Sequence, residues 1–248
     1  MILTAEEIKV LEAYRLSTVP TNSPLSIRVD HLLEEGALIH YLEKVRKKLG
    51  AANNVVAASM LIKRYSFLIV MSLYAMSVWN KRLVLSPERI WLETDDHDDK
   101  WLPTFRFEEL HAEICTGSRE QWREETVRQL FAEHLFPLIE KLRKTVKISG
   151  HILWENISIY IYWVYEKLRN DEILAHVHEQ LCDDFHYLVH GADGSLFGTP
   201  QQNPLKRFWK GNDGPRQRST CCLHYQTGKG SHCRTCPRIA HQRCQAIS

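Results

Sequence analysis

The chain has 248 residues, 44% hydrophobic and 25% charged, which allows one large domain with a real core. Seven cysteines in that length are too sparse for a small disulfide-stapled secreted scaffold. The formal net charge is only +2, but residues 204–248 carry nine Lys or Arg against the single acid Asp213, a local +8 that leaves −6 on residues 1–203. A basic tail suits nucleic acid, an acidic protein or an anionic small molecule.

In chain order, the first residues lack the basic and continuous apolar regions of a signal peptide. A reducing cytosol is therefore the expected setting, where clustered cysteines bind metal or do redox work. Thr4 and Glu7 form a capping-box pattern opening a helix over residues 4–16. A turn-rich break follows at 18–24, and residues 26–49 keep helical apolar spacing up to Gly50. Residues 53–79 are the most apolar stretch. Lys63 and Arg64 interrupt it, so it predicts a buried central helix rather than a membrane span.

Residues 82–93 predict two short strands around the turn Ser86-Pro87-Glu88-Arg89. Ser118 and Gln121 cap a long helix to about residue 146, which Pro137 should kink or split. Helices over 148–169 and 172–190 follow, and residues 191–200 read as a linker. The expected fold is mainly α with a small antiparallel β element, ending in a loop-rich cysteine segment.

That segment holds Cys221, Cys222, Cys233 and Cys236 in the pattern C-C-x10-C-x2-C. One reading is structural zinc, although only Cys233 and Cys236 have the usual knuckle spacing and the other two are adjacent. A second is an iron–sulfur cluster, whose larger body tolerates spread ligands. Gly228, Gly230 and Pro237 fit a loop wrapping such a body, and Lys229, Arg234 and Arg238 would offset its negative charge. A thiol redox pair at Cys233 and Cys236 lacks a thioredoxin-like βαβ context. Spacing alone leaves zinc and iron–sulfur open.

The C-C-x10-C-x2-C ending resembles the signature of the FhuF-type ferric siderophore reductases. Two upstream stretches are also similar to that family: Ala58-Ser59-Met60-Leu61-Ile62-Lys63-Arg64-Tyr65, and Trp154-Glu155-Asn156-Ile157-Ser158-Ile159-Tyr160 followed by Trp163-Val164-Tyr165-Glu166. The resemblance implies a [2Fe–2S] cluster held by Cys221, Cys222, Cys233 and Cys236. It implies a cytoplasmic oxidoreductase that reduces siderophore-bound Fe(III) by one electron. Residues 1–200 would be a helical siderophore-binding scaffold, with residues 201–248 the cluster segment packed on it.

The sequence holds no P-loop, no nucleophile elbow and no G-x-G-x-x-G, so electrons are expected from a separate donor protein. Neither nucleic acid nor more than peripheral membrane association is expected. Lys63, Arg64, Tyr65, Trp79 and Trp154, with Lys81 and Arg82, are the candidates to line a pocket for an anionic ferric complex. The alternatives are that Arg64 pairs with a buried carboxylate and that Trp79, Trp154 and Tyr160 are core. The rival functions are a zinc-stabilised nucleic-acid-binding or regulatory module and an iron–sulfur redox sensor without turnover.

Other patterns weigh less. His111 and Glu113 with a distant C-x-x-C resemble zinc deaminases, but Pro237 follows the cysteines instead of preceding them. His178, Cys182, His186 and His190 share one helical face that could hold a metal or haem, although a hydrogen-bonded histidine stripe is the commoner outcome. The run at residues 95–99 lacks the glycine and glutamate of a calcium loop. His224, His232 and His241 would substitute for thiolates only if four cysteines were not present. Cys244 lies outside the pattern as a spare thiol.

Overall fold

The structure, a computed structural model, describes residues 2–96, 101–198, 202–211 and 217–239. Cys244, His241 and most of the acidic run at 95–99 lie outside the described residues.

Helix α1 (Ala5–Glu12) opens as its sequence requires. The Thr4 N–H donates to Glu7 Oε2 at 2.8 Å and the Glu7 N–H donates to Thr4 Oγ1 at 3.2 Å. Helix α3 (Asn54–Trp79) is the axis of the molecule, capped by the Asn53 side chain and ended by Asn80 in the left-handed region. It is long and apolar enough to cross a membrane, yet 78% of its most apolar window is buried by the rest of the chain. Such an all-round apolar helix is stable in water only as a core. Helix α6 (Gly150–Arg169) is its main partner, joined at one end by Ser59 and Asn156 and at the other by Ser77 and Tyr165.

The segment at 26–49 is not one helix. Ile27–Arg28 is strand β1, Val29–Leu33 a 3-10 turn, and only Glu35–Leu49 is helix α2. The Asp30 carboxylate takes the His31 N–H at 2.9 Å and both arms of Arg28, and such local bonds compete with a helical start.

The hairpin expected at 82–93 is also replaced. Lys81–Leu83 (β2) pairs with Ala112–Ile114 (β5), whereas Ile90–Glu93 (β3) lies between β1 and Thr104–Phe107 (β4) in a second antiparallel sheet. Ile90, Leu92 and Glu93 are buried on β3, and a hairpin would have given that strand only one neighbour.

Pro137 does split its helix. Arg119–Arg128 (α4) passes into a π-helical turn at Gln129–Leu135 before Phe136–Val146 (α5). Proline has no N–H and its ring crowds the carbonyl four residues back, and the wider turn absorbs both. The apparent linker at 191–200 contains a 3-10 turn, Gly194–Phe197, that closes the core. Phe197 is fully buried with its ring 4.8 Å from Phe131. The Gly and Ser content suggested a linker, but Leu196 and Phe197 bury the turn. Short helices His178–His186 (α7) and Pro204–Phe208 (α8) complete the scaffold.

The π-turn carries a buried histidine. His134 Nε2 meets the Tyr65 hydroxyl at 2.7 Å. Burial pushes the His134 pKa from 6.5 down to about 4, against the Leu85 carbonyl, which raises it. The folded pKa is depressed, so the unfolded chain binds the extra proton. His134 thus contributes fully above pH 6.5, and the contribution is lost as pH falls to about 4. The expected loss across that window is on the order of 3 kcal/mol. Denaturant titrations at several pH values check it, because His134→Gln keeps a partner for Tyr65 without titrating and should lose less stability there.

Candidate metal centre

The cysteine segment docks where α2 ends and α3 begins. The Gly228 N–H donates to Leu49 O at 2.9 Å and the Ala52 N–H donates to Gln226 O at 3.1 Å. A Cβ on Gly230 would stand 1.9 Å from His224 O, so only glycine closes the loop there. Leu223 adopts a positive φ of 64°, which turns the chain immediately after the adjacent cysteines.

A buried polar chain fixes that corner. Ser59 Oγ on α3 donates to Cys222 O at 2.8 Å. Asn156 Nδ2 on α6 donates to Ser59 Oγ at 3.0 Å, and Arg218 Nη2 donates to Asn156 Oδ1 at 2.7 Å. Glu155 accepts the Ser219 N–H at 2.6 Å and the Thr220 N–H at 2.7 Å, and Arg218 Nε stands 3.7 Å from it. Glu155, Asn156 and Ser59 are at most 2% exposed and Arg218 5%. A buried charge of either sign needs such complete satisfaction.

The thiols fall into two pairs, each taking one member of the adjacent couple. Cys222 Sγ lies 4.0 Å from Cys233 Sγ. Two thiolates on one tetrahedral ion with bonds of about 2.3 Å stand about 3.8 Å apart, so this separation fits a shared metal. Burial raises the Cys221 pKa, the Leu223 N–H opposes it, and Cys236 is the thiol that adds most to the rise. The contact with Cys233 holds the Cys222 thiol down to about 5, burial opposes it, and Lys63, the His224 backbone and Arg218 lower it further. The same contact, with burial, pushes the Cys233 thiol up. Among the described residues no group of three or more His, Cys, Asp or Glu is arranged to hold one ion. The arrangement is of pairs, not of a single chelating nest.

The predicted substrate residues do not all gather here. Lys63 does, one helical turn from Ser59 on the same face of α3 and close enough for Cys222 and Cys233 to raise its pKa against the larger effect of burial. Arg64 lies beside the Tyr160 hydroxyl, and its buried Nε has no hydrogen-bond partner among the described residues. Tyr65 turns inward to His134, and Trp154 is core, packed on Phe131 and Phe197.

Trp79 lies 20 residues beyond Ser59, about 30 Å along the helix, and packs on Tyr74. Lys81 and Arg82, just past it, pair with Glu7 and Glu113. What extends the wall beside the thiols is Phe67, Tyr160, Trp163 and Arg15. Phe67 and Tyr160 rings are 5.0 Å apart, Arg15 sits 4.8 Å over Phe67, and Trp163 is 40% exposed. The spacing of Lys63 with Phe67, and of Tyr160 with Trp163, was the sequence signal for that shared face.

His178 Nδ1 is 3.8 Å from Cys182 Sγ and the His186 and His190 rings are 5.1 Å apart, a stripe on one helix face. A cavity of about 230 Å³ lined by Ser72, Arg82, Leu85, Leu130 and His134 opens elsewhere on α3.

Comparison with known proteins places this scaffold. The chain is 26% identical over 162 residues to the ferric siderophore reductase of Escherichia coli (strain K12), an alignment spanning 65% of this chain and 57% of that relative. A profile of the ferric iron reductase FhuF-like transporter family matches residues 59–213, more than half of the chain, from the serine that holds Cys222 to just short of the cysteines themselves. The chain belongs to the ferric iron reductase FhuF-like transporter family.

Proposed function

We propose that this protein is a cytoplasmic ferric siderophore reductase whose four cysteines hold a [2Fe–2S] cluster. The observation that carries this reading is the gathering of the thiols against the helix that begins the family match, with Cys222 at 4.0 Å from Cys233 and Cys236 near enough to Cys221 to raise its pKa. Two pairs suit a body with two metal ions, each taking two thiolates. The name of the Escherichia coli relative supports the substrate class.

When bound, the cluster supplies a one-electron carrier between a donor protein and the substrate. The chain's own residues do the rest. Glu155, Asn156, Arg218 and Ser59 fix the corner that carries Cys221 and Cys222. Lys63 and Arg64 present positive charge toward a ferric complex, and Tyr160, Trp163 and Phe67 offer it apolar faces. One electron turns siderophore Fe(III) into Fe(II), which hard oxygen ligands hold weakly, so release needs no acid, base or nucleophile. Basic residues of the tail favour an acidic donor.

The test is direct. Protein purified without oxygen should be reddish-brown and contain iron and acid-labile sulfide. After chemical reduction it should reoxidise on mixing with a ferric trishydroxamate or a ferric triscatecholate. A colourless protein containing zinc overturns the cluster, and a coloured protein that neither chelate reoxidises overturns the reductase in favour of a sensor.

A further inference from the structure

His232 stands outside the four-thiol pattern, and nothing in the proposed reaction uses it. Its Nδ1 lies 3.4 Å from Cys236 Sγ. Its ring stacks on Tyr225, with centroids 4.7 Å apart and planes 16° from parallel, and the Arg238 guanidinium sits 4.9 Å over the Tyr225 ring. The preceding residue is pinned as well, because His224 Nδ1 donates to Ser231 O at 3.0 Å. The imidazole is therefore held against Cys236 by stacking and by the backbone before it.

The chemistry of the contact fixes its direction. A metal-bound thiolate has no proton, so it can only accept. The Nδ1 atom must therefore carry the hydrogen. A hydrogen bond to a cluster sulfur draws charge from the thiolate and favours the state with the additional electron. Lys63 and Arg218 act electrostatically on the other pair, whereas His232 acts on Cys236 by direct contact.

We propose that His232 is a positioning residue of the cluster, donating its Nδ1–H to the Cys236 thiolate and raising the reduction potential of the centre, with Tyr225 and Arg238 holding the ring in place. The inference rests on the cluster reading of the four cysteines and adds to it a side chain that tunes the carrier.

The test is a redox titration of the purified holoprotein followed in the visible spectrum. His232→Phe keeps a ring to stack on Tyr225 and removes the donor. Its midpoint should fall so that the oxidised-to-reduced ratio at the wild-type midpoint rises about tenfold, equal to 59 mV for a one-electron couple. Iron and sulfide content should match wild type. His232→Asn, whose amide nitrogen can take the place of Nδ1, should restore the wild-type midpoint. An unchanged midpoint in a fully loaded His232→Phe protein overturns the proposal, as does an Asn variant shifted as far as the Phe variant.

Should His232→Phe fail to hold the cluster, Tyr225→Leu loosens the ring and leaves the donor. It should shift the midpoint the same way by a smaller amount, and no shift there overturns the proposal. A wild-type protein without iron and sulfide overturns the cluster reading and this inference together, which separates that failure from the others.

Discussion

Replacing Cys222 with serine is expected to remove the visible chromophore and the reductase activity together. Cys222 is 2% exposed, shares its place with Cys233 at 4.0 Å, and its thiol pKa is held down by that contact and by Lys63 and Arg218 nearby. A serine oxygen is harder, shorter-reaching and far less acidic than that thiol. Bound iron should fall at least about tenfold, since losing even an outer partner of a metal ligand costs about 10–100-fold in affinity. The scaffold should survive, because the Ser59 contact is to the backbone carbonyl of Cys222 and not to its sulfur. Iron and sulfide analysis beside far-ultraviolet circular dichroism checks both halves. Wild-type iron content in the variant would remove Cys222 from the ligand set.

Glu155→Ala is the second large effect, and it acts without touching a thiol. The substitution takes the carboxylate away from the Arg218 guanidinium, whose side chain is 3% exposed, and leaves the Ser219 and Thr220 N–H groups without their acceptor. Breaking a buried pair by removing one partner costs about 3–5 kcal/mol. The cost should fall on the docking of residues 217–239 more than on the α3–α6 core, since Glu155 joins α6 to that segment. Limited proteolysis should therefore cut the tail of the variant under conditions that leave wild type whole, and cluster loss on dilution should quicken. Equal protease resistance in the two proteins would show that the polar chain does not hold the segment.

The two variants separate the parts of the design. Cys222→Ser removes a metal ligand and spares the dock, whereas Glu155→Ala spares all four thiols and removes the dock. If both lose iron but only the second becomes protease-sensitive, the buried chain from Glu155 to Ser59 is what brings the cysteine corner to the helical scaffold.

Much of this was legible in the sequence because it is local. The capping box at Thr4 and Glu7, the stop at Gly50, the Asn53-capped core helix and the break before Pro137 depend on neighbours three to five residues away. The four cysteines were legible for the same reason, since their spacing is written along the chain. The strands were not. β1 and β5 run two and three residues, too short to show a period, and β3 found its partners at 27–28 and 104–107 instead of in the adjacent strand. Strand pairing satisfies burial on both edges, which no local window contains.

By itself, then, the sequence determined the helical scaffold, the thiol set and their proximity to a basic tail. Only the tertiary structure decided how the thiols pair, that Glu155, Asn156 and Arg218 form the clamp beneath them, and that His232 reaches Cys236. It also divided the expected substrate residues, keeping Lys63 beside the cysteines and Arg64 beside Tyr160, turning Tyr65 and Trp154 into the core and leaving Trp79 at the far end of α3. The reason is geometric. Spacing along a chain says which residues share a helix face, but which face meets a segment more than 150 residues away depends on packing that the whole fold settles at once.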